Sequence, residues 1–576
     1  MPRCEEFCKV VSQTSVARAA HEQRRWRSSA PAIESLELHG RAGKVPHTLH
    51  DFETVLALLV GVTFLAMVAR RLAVPTPALL VTGGLLVALL PGLPAVQFDP
   101  QLVFLVFIPP LLYRASLLAS YRDVRANLRP IVMLGVGHVL FATAAVAWAA
   151  HLAVPGLPWA SAFALGAVVS PPDVAAATAF LRRLPVPRRL VTILEGESMV
   201  NDAAAIVAYR MAVVAAVTGT FSLAAAGLRL LVVGAGGIVV GLAVGWLLGA
   251  VRRRIHDPEV ENTISLLTGY AAYLPAEHLG ASGVLAVVAT GLYLGRVGPR
   301  VVAADTRVQN AGMWDVVVFL LEGLIFILTG LALRPILGTL NGAMARELAQ
   351  GVVLVSLTVI VARFVWVFPA TYLPRLLSAR VRRRDPYPPW QLPVVVSWAG
   401  LRGGDSLVLA AALPIVTASG AAFPGRDLII AITFAVILVT LVGQGFTLAP
   451  LLRWLGVRET GAEERREEVA ARLQASEAAM ARLQELAAAQ WMHPETLAHT
   501  RDRYRHRTRR LRGQADGVAN GGEETISAAD RRLARELLTV ERRELLRLRD
   551  EGAISDGVMR RVQREIDLEE LLLEPE

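Results

Sequence analysis

The chain has 576 residues, 54% of them apolar, and a formal net charge of +10. A soluble domain is usually about 45–50% apolar without long apolar runs; here the runs are roughly 17–25 residues long, enough to cross about 30 Å of hydrocarbon as a helix. The short alternating segments of a β-barrel do not occur, and the positive charge is spread over the loops between runs, as membrane topology requires, rather than gathered into a nucleic-acid surface.

Residues 1–51 are polar and carry Arg18, Arg24, Arg25, Arg27, Arg41 and Lys44. They lack the apolar core of a signal peptide and are expected to be a disordered N-terminal extension from an over-extended translation start. Cys4 and Cys8, the only cysteines, both lie there. They support neither a disulfide framework nor a four-ligand metal site. The histidines are scattered without a His-Glu-x-x-His pattern, and no cofactor is expected.

About thirteen spans follow by length and apolarity, near 52–69, 77–93, 102–120, 131–154, 159–181, 192–210, 228–250, 264–279, 283–294, 316–333, 352–373, 392–413 and 428–452. Arginines follow the odd spans: Arg70 and Arg71, Arg122 and Arg125, Arg182 and Arg183, Arg252 to Arg254, Arg296 and Arg300, then Arg380 and Arg382 to Arg384. The loops 94–100, 155–158, 219–222 and 275–282 are poor in cations. By the positive-inside rule the odd loops and the C-terminal tail are cytoplasmic and the N-terminus lies outside. The arginines of 1–51 break that rule, a second ground for excluding the segment from the mature protein.

The sixth span is the unusual one. Thr192-Ile-Leu-Glu-Gly-Glu-Ser-Met-Val-Asn-Asp202 places Glu195, Glu197 and Asp202 within two helical turns of an apolar segment. An ionised carboxylate at a bilayer centre costs at least about 2.5–3.5 kcal/mol, so such groups face a water-filled cavity or a partner and mark ion or proton paths. Ser198 and Asp202 stack one turn apart with Glu195 beneath them, and Glu197 and Asn201 stack on the neighbouring face. One face thus offers a carboxylate and a hydroxyl, hard oxygens suited to Na⁺ or a proton. The competing reading is a structural polar network between helices.

Two spans are interrupted. The fifth has Pro171-Pro172 at mid-membrane beside Asp173, and the twelfth has Gly400, Gly403 and Gly404 around Arg402 and Asp405. Proline removes a backbone donor and glycine lets the chain unwind; unwound backbone at that depth must line a cavity or be buried in protein. The breaks lie seven spans apart, and an odd offset places matching elements in opposite orientation, as inverted repeats do. After the last span the chain becomes rich in Arg, Glu, Ala and Leu. Residues 463–490 and 528–573 read as amphipathic helices split by a loop at 513–522. The division is therefore 1–51 extension, 52–455 membrane domain and 456–576 cytoplasmic helical tail.

With these residues in hand, the chain resembles a monovalent cation/proton antiporter of the CPA1 family, the Na⁺/H⁺ exchanger group, in its bacterial branch. The resemblance rests on Glu195-Gly-Glu-Ser-Met-Val-Asn-Asp202, on Ser170-Pro-Pro-Asp173 at the family's Thr-Asp-Pro-type break, and on Gly400-Leu-Arg-Gly403. Phe319-Leu-Leu-Glu-Gly-Leu-Ile-Phe326 and Ala276-Glu-His-Leu-Gly-Ala-Ser-Gly283 add to it, and it covers roughly 52–455. It implies an all-α polytopic membrane protein with inverted repeats and two broken, crossing helices. It further implies exchange of a cation, Na⁺ foremost, for H⁺ across the plasma membrane, regulating intracellular pH and cation level, by a homodimer.

By that resemblance Asp202 would hold the cation or the proton, with Ser198 and a carbonyl near Pro172 as further ligands. Asp173 and Asn201 would sit at the helix break, Asp173 offsetting the half-helix N-terminus. Glu197 would pair with Arg402 and brace the sixth span against the twelfth. Asn201, where other members carry a second Asp, implies one-for-one, electroneutral exchange. Three residues depart from the pattern: Pro172 replaces a threonine, Arg114 stands where an acidic residue is common, and Asp405 is an extra carboxylate. They bear on ion selectivity, and a K⁺/H⁺ antiporter is the alternative. A passive channel would need no proton-titrating carboxylate. An intramembrane aspartyl protease would need a Gly-x-Gly-Asp that Arg402-Gly-Gly-Asp405 does not supply.

Overall fold

A computed structural model of the chain describes residues 47–72, 74–90, 100–173, 186–219, 223–255, 257–332, 342–457, 462–487, 493–515, 521–551 and 556–573. The expectation of a disordered extension falls almost wholly outside those residues. The described chain is helical, with one isolated bridge between Val416 and Ala422.

The chain divides into two units. The smaller contains α1 (His47–Leu72), α2 (Thr76–Ala88) and the part of α12 (Ala304–Leu331) from residue 312 onward. Pro75 and Pro77 start α2 where an N–H would have no helical partner. The three segments meet through glycine: Gly84 lies against the Ile327 carbonyl, Gly330 against that of Val81, and Gly323 against the Val62 side chain. Without a hydrophobic force between helices in lipid, such close backbone approach supplies the packing.

The larger unit begins with α3 (Pro100–Leu118), α4 (Tyr121–Ala126) and α5 (Leu128–Val132). A π-helical segment, Met133–His138, joins α5 to α6 (Val139–Ala153), and α7 (Trp159–Val169) and α8 (Arg188–Thr218) follow. Then come α9 (Leu223–Arg252), α10 (Pro258–His278), α11 (Gly283–Val301), the start of α12, α13 (Gly342–Leu377) and α14 (Ala379–Arg384). The membrane part ends with α15 (Gln391–Trp398), α16 (Gly404–Ala411), α17 (Arg426–Leu438), a second π-helical segment at Val439–Gln444, and α18 (Gly445–Leu455).

Two packed groups of helices stand out in this unit. In one, α3, α9, α10 and α11 pack backbone to backbone. Gly241 lies against the Ala286 carbonyl, Gly269 against that of Pro109 and Gly295 against that of Leu117. Thr290 Oγ1 donates to the Gly241 carbonyl at 2.8 Å. In the other, α6, α7, α8, α13, α16 and α17 share an apolar core that includes Val146, Val168, Val355, Ala410 and Ile432.

Among the described helices, eight segments are long and apolar enough to cross a membrane, by length and composition: α1, α5–α6, α8, α9, α11, α12, α13 and α17–α18. Each of the thirteen expected spans contains a helix. The second, third, fifth, eighth and twelfth are too short, too polar or too interrupted to cross on those criteria alone, so the count of thirteen goes beyond what length and composition establish. The fifth breaks after Val169 as expected, and its remainder, 174–181, lies outside the described residues. The twelfth breaks between Trp398 and Gly404.

The tail differs from the expectation of two helical stretches. Among its described residues are four helices, α19 (Ala462–Leu486), α20 (Pro494–Ala515), α21 (Gly521–Asp550) and α22 (Asp556–Leu573). Helix α20 is dense in arginine and has little apolar stripe to betray it. It packs on α19, where Ser476 and Thr508 hydroxyls meet at 2.8 Å. Helices α21 and α22 enclose Leu538, Leu545 and Ile566.

Candidate ion-binding site

Helix α8 carries the centre of the site, and its two faces differ as the spacing requires. Glu195, Ser198 and Asp202 each keep part of their surface open, whereas Glu197 and Asn201 are fully buried. Toward the start of α8, Glu195, Val191 and Thr192 line a cleft with Ser120, Asp123 and Arg188. The stack that ends in Asp202 therefore runs up from an open cleft on the arginine-rich side.

The α7 break supplies the next groups. Pro171 and Pro172 are buried, and Pro172 cannot donate into a continuing helix. Its carbonyl accepts a hydrogen bond from Asn201 Nδ2 at 2.7 Å, tying the α7 break to α8. One residue on, the Asp173 N–H donates to the Leu401 carbonyl at 2.7 Å, tying the same break to that between α15 and α16. Gly403 is required at this junction: a Cβ there would collide with the Asp173 carboxylate. Asp173 lies within electrostatic reach of Asp202 on α8 and of Asp405 in the first turn of α16. Thus Asp202, Asp173, Pro172, Asn201 and Ser198 come from segments that meet where the two interrupted helices touch.

One expected contact is corrected. Glu197 does not pair with Arg402; it pairs with Arg363 on α13. Arg363 Nη1 and Nη2 donate to Glu197 Oε1 and Oε2 at 2.7 and 2.8 Å, and Arg363 Nε donates to the Val396 carbonyl at 3.0 Å. A bidentate fork uses both carboxylate oxygens and leaves little geometry for a second guanidinium. Gly400 permits it, because a Cβ at 400 would strike the Arg363 side chain. Arg402 is anchored by its backbone, whose N–H donates to Thr440 Oγ1 at 3.2 Å; its guanidinium is fully buried and makes no hydrogen bond among the described residues. His138, at the end of the first π-helical segment, is also fully buried, within electrostatic reach of Arg363 and Arg402.

Sequence reasoning missed Arg363 although a signal was present. It is an arginine inside an apolar stretch, and an ionisable residue within a span calls for a partner. The interrupted twelfth span drew attention to Arg402 instead.

A charged clasp lies at the arginine-rich ends of the spans. Asp385, in the loop before α15, accepts from Arg129 Nη2 at 2.5 Å, Arg189 Nη2 at 2.7 Å and Arg375 Nη2 at 2.7 Å. Burial alone would raise this carboxyl, but hydrogen bonds from Arg189 and Arg375 outweigh it and hold Asp385 below the ordinary carboxylate range.

A sequence profile of the family described as "Sodium/hydrogen exchanger, transmembrane" matches residues 55–454. The chain is 36% identical over 530 residues to a protein of Mycobacterium tuberculosis named as an uncharacterized Na⁺/H⁺ exchanger, covering 90% of this chain and 96% of that one. It is 33% identical over 414 residues to a sodium, potassium, lithium and rubidium/H⁺ antiporter of Bacillus pumilus, covering 70% of this chain and 61% of the relative. The fold is similar to that of the sodium proton antiporter MjNhaP1 from Methanocaldococcus jannaschii, with TM-score 0.57 and 20% identity over 71% of this chain and all of that one. With its matched region spanning both helix breaks and the Glu195–Asp202 segment, the chain belongs to the sodium/hydrogen exchanger family.

Proposed function

We infer that the protein is a secondary antiporter exchanging a monovalent cation, Na⁺ foremost, for H⁺ across the plasma membrane. The observation that carries this reading is the partly open Asp202 in electrostatic reach of Asp173, where the breaks of two interrupted helices meet. Asp202 binds the cation or the proton. The Ser198 hydroxyl and the Pro172 carbonyl add hard oxygen ligands, and Asn201 orients that carbonyl. Asp173 balances the junction, and Glu197 with Arg363 braces the bundle without contacting the ion.

The mechanism follows from competition. A cation and a proton disfavour each other on one carboxylate. If only loaded forms cross, cation moving down its gradient in one direction carries protons in the other, as the bundle rocks against its scaffold. No cofactor and no catalytic step is assigned. The working unit is a homodimer in lipid, with residues 52–455 performing transport and 456–576 forming a cytoplasmic tail.

The name of the Bacillus relative includes K⁺, which keeps K⁺/H⁺ exchange as the second reading. Purified protein in liposomes, given an outward Na⁺, Li⁺ or K⁺ gradient, should change lumenal pH with Na⁺ most effectively. Cation flux that leaves lumenal pH unmoved at clamped membrane potential would identify a passive channel instead.

A further inference from the structure

The arginines that tie α5, α8 and α13 together at their arginine-rich ends have acidic partners: Arg129, Arg189 and Arg375 share Asp385, and Arg188 pairs with Asp123 at 3.2 Å. Three others do not. Arg253, Arg296 and Arg300 line a cleft of about 260 Å³ together with Val297 and Val301. The cleft lies between the end of α9 and the last turns of α11. Glycine brings the two helices together just before it: a Cβ on Gly245 would press on Tyr293, and one on Gly249 would meet Tyr293 and Leu294. Arg252 turns inward and donates to Thr268 Oγ1 at 3.3 Å, whereas Arg253 is exposed on the cleft. Arg296 and Arg300 stand one turn apart on one face of α11. The Arg296 guanidinium rests 4.9 Å from the ring centre of Tyr121 on α4. All three arginines are exposed, and among the described residues none of the three is in an ion pair. The acids nearest in sequence are Asp123, Asp257, Glu259 and Asp305, and none of them lines the cleft. Asp123 is taken by Arg188, and Asp257 caps α10 by accepting from the Glu259 and Val260 N–H groups.

We propose that this cleft binds the headgroup phosphate of an anionic membrane lipid, gripped by Arg253, Arg296 and Arg300. Arginine is favoured at helix C-termini and at this edge of a membrane protein in any case. Those tendencies place single arginines; they do not gather three around one cavity without a carboxylate on its wall. Three like charges there repel one another, and an anion between them removes that repulsion. The helix C-termini themselves disfavour an anion, so the guanidinium forks supply the binding, and their planar donors match phosphate oxygens. Basic pockets between membrane helices hold lipid headgroups in this way. The cavity is smaller than the roughly 300 Å³ at which small-molecule pockets begin, which suits a headgroup rather than a whole soluble ligand. The apolar surface of α9 points to a lipid. Trp246, Leu242 and Val239 lie seven, eleven and fourteen residues before Arg253, hence on one helix face, and all three are exposed. A lipid whose phosphate sits in the cleft lays its acyl chains along that face.

The test is native mass spectrometry of delipidated full-length protein in detergent, titrated with phosphatidylglycerol, phosphatidylcholine or inorganic phosphate. The parent should bind phosphatidylglycerol more tightly than phosphatidylcholine. Each arginine near a headgroup contributes about fivefold, so Arg300→Gln should raise the Kd for phosphatidylglycerol about fivefold. Arg253→Gln with Arg296→Gln and Arg300→Gln should raise it more than about tenfold and leave phosphatidylcholine binding unchanged. If the triple variant does not fold, the single variant decides. The control is Arg380→Gln with Arg382→Gln and Arg383→Gln on α14, which removes the same charge from the arginine-rich ends but none from the cleft; its Kd should stay within about twofold of the parent's. An unchanged Kd in the folded cleft variants overturns the proposal, and so does an equal loss in the α14 control, which would assign the binding to diffuse charge. Inorganic phosphate that binds the parent as tightly as phosphatidylglycerol, and is lost from the cleft variants, would assign a free anion and overturn the lipid.

Discussion

Arg363 grips both carboxylate oxygens of Glu197, at 2.7 and 2.8 Å, in a pair whose side chains are 1% and 0% exposed. The pair joins α8 to α13, and the Arg363 Nε bond to the Val396 carbonyl extends the link to α15. Removing one partner strands the other charge without water. Arg363→Ala should therefore destabilise the protein by roughly 3–5 kcal/mol. Replacing both partners together, Glu197→Leu with Arg363→Met, should cost much less, because no orphan charge remains. Thermal unfolding in detergent, followed by size-exclusion chromatography, separates these outcomes.

Gly403 lies directly against Asp173 where the two helix breaks meet. Gly403→Ala puts a methyl group where the Asp173 carboxylate sits, and should abolish most exchange while the protein still inserts and purifies. Full exchange by Gly403→Ala would mean that the junction between the two breaks tolerates a side chain there.

Asn201 donates to the Pro172 carbonyl at 2.7 Å. Asn201→Ala leaves that buried carbonyl without its donor, a loss of about 1–3 kcal/mol, and frees the backbone proposed as a ligand. Exchange at limiting Na⁺ should fall about tenfold, with a smaller loss at saturating Na⁺. Initial rates across a Na⁺ series measure both effects.

The Asp385 clasp gives a pH dependence outside the membrane. Its carboxyl is held below its ordinary value, so it contributes stability that is fully present above the unfolded value near 4. That stability is lost as pH falls through the lower folded value, when protonation releases Arg129, Arg189 and Arg375. Melting temperature measured downward from pH 5 should drop in the parent protein. Asp385→Asn should start lower and lose this component of the slope.

Much of this could be read from the sequence because its signals are local. Proline and glycine mark the two breaks, and helical spacing alone puts Ser198 under Asp202 and Glu197 under Asn201. The partner of Glu197 could not be read that way. Arg363 and Arg402 both occupy membrane segments, and only the packing of α13 across Gly400 decides between them. The π-helical segments at Met133–His138 and Val439–Gln444 were equally hidden, since an extra residue in a turn leaves no compositional trace. Helix α20 escaped because its arginines outnumber the apolar residues that would reveal a face.

The claim on which the rest depends is that one acid on α8 is occupied alternately by a cation and a proton. Asp202→Asn keeps the shape of the side chain and removes the charge. Reconstituted into liposomes, this variant should be folded, and an imposed Na⁺ gradient should leave lumenal pH unchanged. Na⁺-driven pH change at the parent protein's rate in the same vesicles would contradict the account.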